Sequence, residues 1–205
     1  MTKLSEAKIL GGIGALLTIL VLVPTVGIVI GIIGLILIFI AVKYIADETK
    51  NQSIFNNFLM NFILCIITIG AVIVITIAAF GLSGGFSWVT TLQQQNITDF
   101  NTFWAQFGTQ LSTFLLGIVA ALVVAWILIT IGAFYLRKSY NSIAEHTKVN
   151  LFKTTGLVYL IGAATLIIII GIFILIIAKI LEIVSFFSLP ENLPATTEPP
   201  KTEIV

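Results

Sequence analysis

The chain has 205 residues, 59% of them hydrophobic and 9% charged, with ten Lys and Arg against nine Asp and Glu. A mean hydropathy of +1.16 is far from the soluble average, in which about 25% of residues are charged. The near-neutral balance without a clustered basic face excludes a nucleic-acid partner, and the single cysteine, Cys65, excludes a disulfide framework or a paired metal site.

Lys3 and Lys8 precede an apolar run with no small-residue cleavage site after it, so the segment is expected to persist in the mature protein. Ile9 to Val42 carries no charge and would form a helix of about 51 Å, against a hydrocarbon core of about 30 Å. Pro24-Thr25-Val26-Gly27 interrupts it: proline removes a backbone donor and glycine permits a turn. The expectation is a hairpin of two spans, residues 6–23 and 26–45, packed closely through Gly11, Gly12 and Gly14 against Gly27, Gly31 and Gly34. A third span over residues 54–80 follows, with Ser53 as its N-cap.

Residues 81–110 form a loop in which Phe100, Phe103, Trp104 and Phe107 recur at helical spacing behind Thr98, predicting an interfacial aromatic helix over 98–110. Asn96-Ile97-Thr98 matches a glycosylation acceptor pattern. A fourth span over 111–136 stops at Arg137-Lys138. Leu151 to Leu189 is again too long for one span. A break near Gly171 predicts spans over 151–170 and 171–188, at the cost of setting Lys179 near mid-membrane. The alternative is a single span ending at Ala178, and so five spans rather than six. Residues 190–205, with prolines among Thr and Glu, read as a disordered tail.

Two polar runs match. Ile45-Ala46-Asp47-Glu48-Thr49-Lys50 returns as Ile143-Ala144-Glu145-His146-Thr147-Lys148, each followed by an apolar-Phe step. This duplication predicts an all-α, polytopic helical membrane protein with an internal parallel repeat. Eight of the ten basic residues, Lys3, Lys8, Lys43, Lys50, Arg137, Lys138, Lys148 and Lys153, fall in three segments that six-span threading puts on one side. By the positive-inside rule that side is cytoplasmic. The N-terminus is then cytoplasmic in the cell membrane and the loop 81–110 extracytoplasmic.

The chain resembles a family of small archaeal membrane proteins known as domain of unknown function 996. The resemblance rests on Leu10 to Gly14, Gly34 to Asp47, Ser53 to Asn57, Arg137 to Tyr140, Leu151 to Thr154, Tyr159 to Ala163 and Phe186 to Pro190, within residues 5 to 190. It implies an archaeal source and brings no activity with it.

Ionisable residues inside spans mark function or pairing. Lys179 and Glu182 qualify, at i and i+3 on one face. Asp47, Glu48, Lys50, Glu145, His146 and Lys148 solvate helix ends, and their functional version is a pair of cytoplasmic docking loops for a protein partner. His146 beside Glu145 lacks a nucleophile or metal-spaced acid for catalysis. Asn56, Asn57, Asn61, Thr68, Thr76 and Thr130 are placed to hydrogen-bond across helices. No catalytic, cofactor or metal constellation is legible. The expected function is therefore that of a non-enzymatic accessory, scaffold or assembly protein surrounded by membrane lipid, the alternative being a small transporter or channel.

Overall fold

The computed structural model of the protein describes residues 2–85 and 100–194. Among them lie six long helices and no strand: α1 (Lys3–Ile19), α2 (Gly27–Glu48), α3 (Gln52–Leu82), α4 (Phe100–Thr147), α5 (Asn150–Ala164) and α6 (Ile170–Phe187), with 3-10 turns at Leu20–Leu22 and Leu166–Ile168. Thr98, the glycosylation pattern at Asn96 and most of the tail expected to be disordered lie outside the described residues, as do the side chains of Phe100 and Phe103.

Both long apolar blocks divide into two helices, near Pro24 and near Gly171, but the glycines play a different part from the one expected. The left-handed residues at the two turns are Thr25 (φ 75°) and Ile169 (φ 67°). The glycine two positions later provides room instead. A Cβ on Gly27 would lie 2.4 Å from the Leu20 carbonyl oxygen, and one on Gly171 would lie 2.3 Å from that of Gly162. Each turn can therefore fold back with backbone against backbone.

The polar runs are not loops. Lys43 to Glu48 ends α2, and Tyr140 to Thr147 ends α4. Only the residues just after them turn, with Lys50 (φ 52°) and Lys148 (φ 60°) left-handed. In each copy the threonine hydroxyl donates to the carbonyl four residues back, Thr49 to Ile45 at 2.7 Å and Thr147 to Ile143 at 2.8 Å, adding a side-chain bond to the last turn of the helix. The cap of α3 is Asn51, not Ser53: its side-chain oxygen accepts from the Ser53 amide at 3.1 Å in the usual N-cap manner. The aromatic stretch from Phe100 onward belongs to α4 itself, which has 48 residues, so the interfacial helix and the fourth span are one continuous element.

The chain divides into two compact units, Met1–Asn61 with Ala133–Val205, and Phe62–Gly132. The core of the first contains Leu4, Ile38, Val42, Ile45, Ile54, Tyr140, Ile143, Phe152, Phe186 and Leu189. Gly11 seats the ring of Phe186 and Gly12 that of Phe187, while Gly14 and Gly34 bring α1 and α2 into direct backbone contact. The Thr2 hydroxyl donates to the Glu191 carbonyl, which holds the start of α1 beside the end of α6. In the second unit Ala79 of α3 packs against Gly117 of α4.

Candidate functional site

The buried residues of α6 are Gly171, Ala178, Glu182, Ser185 and Phe186, while Ile172, Phe173, Ile176, Ile177, Ile180 and Val184 are exposed. This is the reverse of a soluble amphipathic helix, in which the apolar face turns inward. Glu182, only 3% exposed, meets two other helices. Tyr140 of α4 donates to its Oε1 at 2.5 Å. Tyr159 of α5 donates to Oε2 at 2.7 Å, and the Lys179 ammonium reaches the same oxygen at 2.6 Å.

A carboxylate removed from water costs several kcal/mol unless it is paired and hydrogen-bonded, and here three donors meet that need. The Lys179 side chain stays 30% exposed, as expected of a long cation that buries its stem and keeps its head near a polar boundary. Its ammonium also lies 5.9 Å from the centroid of the Tyr159 ring. One turn further along, the hydroxyls of Thr155 and Ser185 join α5 to α6 at 2.9 Å, and Ser139 donates to the Ile54 carbonyl of α3 at 2.8 Å.

The structure thus brings together the expected pair, Lys179 and Glu182, and adds Tyr140 and Tyr159, which the sequence reading did not assign to it. Their signal was the acid itself: an isolated carboxylate in an apolar run needs donors, and tyrosine is a long neutral one. Three of the six residues expected to bond across helices also have bonds within their own. Thr68 donates to Leu64, Thr130 to Trp126 and Asn57 to Ser53, all carbonyls of their own helices.

The six charged or ionisable residues of the matched runs adjoin the core of the first unit, in which Ile45, Ala46, Ile143 and Ala144 are buried. Lys50, Glu145, His146 and Lys148 are exposed, and Asp47 and Glu48 are half-buried. Asp47 accepts from Gln52 at 3.0 Å and pairs with Lys43 at 3.0 Å, contacts that hold its carboxyl below the usual carboxylate range. His146 is engaged through Nδ1, which donates to the Ser142 carbonyl at 2.8 Å. In the second unit Phe80, Ser83, Gly85, Phe107, Gln110, Leu111 and Phe114 line a cavity of about 180 Å³. Trp104 and Phe107 meet edge to face beside it, their centroids 5.5 Å apart.

Polar groups turned inward, large aliphatic side chains turned outward, and four helices long and apolar enough to cross a membrane mark the class: an all-helical protein built as membrane proteins are. The chain belongs to the family described as "Protein of unknown function (DUF996)", which matches residues 30–180. It is 35% identical over 192 residues to the archaeal "Uncharacterized protein MJ1644" of Methanocaldococcus jannaschii, covering 93% of this chain and 96% of that one. No solved structure matches it.

Proposed function

We propose that this protein is a multi-pass component of the cell membrane, with its N-terminus and both matched turns in the cytoplasm, and that it acts as a non-enzymatic accessory or assembly protein. The observation that carries this reading is the pairing of Glu182. Tyr140, Tyr159 and Lys179 already occupy its oxygens, so the acid braces α4, α5 and α6 instead of facing a path. A transporter or channel would present such a group to its ion or substrate. Lys50, Glu145, His146 and Lys148, all exposed, stand at the ends of the two matched runs. Their common threonine cap and left-handed lysine support the reading of a duplicated docking surface.

Two measurements test it. With both termini on the side of the basic turns, a reporter fused after Val205 reads cytoplasmic; an external reading removes the even number of membrane entries on which the orientation rests. Amine crosslinking of gently extracted protein is expected to capture one defined partner, and Lys50→Gln with Lys148→Gln to abolish it. Protein that runs alone under those conditions sinks the assembly role.

A further inference from the structure

We infer that the α1–α2 and α5–α6 hairpins do not cross the membrane: both turn back inside it, and their tips are covered by lipid acyl chains. The inference rests on the membrane placement and orientation proposed above, and it changes the manner of insertion from six crossings to two full crossings, α3 and α4, flanked by two hairpins that enter and leave by the cytoplasmic face.

Chemistry at the tips is the first argument. The α5–α6 turn runs Thr165-Leu166-Ile167-Ile168-Ile169-Ile170, and its four isoleucines are 58%, 58%, 67% and 56% exposed. The α1–α2 turn exposes Val21, Val23 and Val26 in the same way. Turns in water favour Gly, Pro, Asn, Asp and Ser, and the two turns at the other end of the unit carry Lys50-Asn51 and Lys148. Four isoleucines in succession, one of them forced to φ 67°, suit a medium in which an aliphatic surface is not penalised.

Backbone accounting is the second. Irregular backbone in hydrocarbon is viable only if its polar groups are paired. Seven of the turn amides are paired: those of Val23, Val26 and Gly27 donate to Leu20, Pro24 and Val23, and those of Ile168, Ile169, Gly171 and Ile172 donate to Thr165, Leu166, Thr165 and Ile169. The Thr165 hydroxyl, the one polar side chain of the second turn, is returned to the Ile161 carbonyl at 2.7 Å.

Reach is the third. Gly156 packs on the Arg137 backbone, so it marks on α5 the level at which α4 passes from apolar to basic sequence. From Gly156 through Ile168 the chain rises only about 18 Å, and from Lys43 back to Gly27 about 24 Å, against a hydrocarbon thickness of about 30 Å. By contrast α3, with 31 residues, spans about 46 Å. By length and composition alone α2 and α6 are long enough to cross; measured from the polar levels at Lys43 and Gly156, each hairpin stops short of the far headgroups, and the acyl chains of the opposite leaflet are what its tip meets.

The test uses the full chain with Cys65→Ser in sealed vesicles, carrying single cysteines at Leu82 (the outer end of α3), Glu145 (the last turn of α4), Val23 or Ile168. A membrane-impermeant maleimide is expected to label Leu82→Cys from one face and Glu145→Cys from the other. Val23→Cys and Ile168→Cys should react at least about tenfold more slowly from both faces, as thiols kept from ionising by an apolar medium. A fluorophore attached at either after solubilisation, then reconstituted, should be quenched most by lipids brominated deep in the acyl chain. Labelling of both tips from the Leu82 face at a rate near that of Leu82→Cys, or quenching strongest at the headgroup level, overturns the inference. Leu82→Cys and Glu145→Cys reacting from the same face would instead overturn the multi-pass placement beneath it.

Discussion

Glu182→Leu is expected to destabilise the detergent-solubilised protein by about 3–5 kcal/mol, the usual loss when one member of a buried charged network is removed. The change strands the hydroxyls of Tyr140 and Tyr159 and the ammonium of Lys179, which meet nothing else as close as the carboxylate (2.5, 2.7 and 2.6 Å). Each orphaned hydroxyl forfeits its desolvation as well as its bond, about 1–3 kcal/mol. Lys179 loses least, because its partly exposed head can turn toward the headgroups. Combining Glu182→Leu with Lys179→Met, Tyr140→Phe and Tyr159→Phe should restore most of the loss, since an apolar replacement of a buried charged cluster is often neutral or stabilising. The thermal midpoint in mild detergent is the measurement. If the quadruple variant is no more stable than Glu182→Leu alone, the network is not what joins the three helices.

Packing at the first hairpin yields the second large effect. Gly14→Leu and Gly34→Leu should each cost about 3 kcal/mol through overpacking. A Cβ on either residue lies 2.6 Å from the carbonyl oxygen of the other, and backbone on both sides leaves nothing flexible to yield. Gly70→Leu is the internal control: nothing lies within 4 Å of a Cβ there, so the side chain would join the apolar surface of α3 at little expense. Equal losses at all three positions would mean that glycine acts in α1 and α2 through helix flexibility and not through close approach.

How far the sequence could be read follows from what each feature depends on. Long uncharged runs cannot be solvated, so the helical membrane class, the two breaks near Pro24 and Gly171 and the family itself were legible from residues alone. Helix ends were not. Lys43 to Glu48 and Tyr140 to Thr147 look like loops because they are polar, yet α2 and α4 continue through them. Ile45, Ala46, Ile143 and Ala144 find a shared core there, and burial against neighbours outweighs local polarity.

The same division holds at the candidate site. Spacing along one helix placed Lys179 and Glu182 on a common face, because an i, i+3 pair is a local property. Nothing local could reveal that Tyr140, 42 residues away, and Tyr159, 23 residues away, would meet the same carboxylate. That required the crossing of α4, α5 and α6. Glycine shows the difference most plainly. By itself the sequence placed a fold-back beside Gly27 and, as one of two readings, beside Gly171. Only the tertiary structure decided that Thr25 and Ile169 take the strained backbone angle and that the glycines make room for a carbonyl, because room is a property of two segments brought together and not of either one alone.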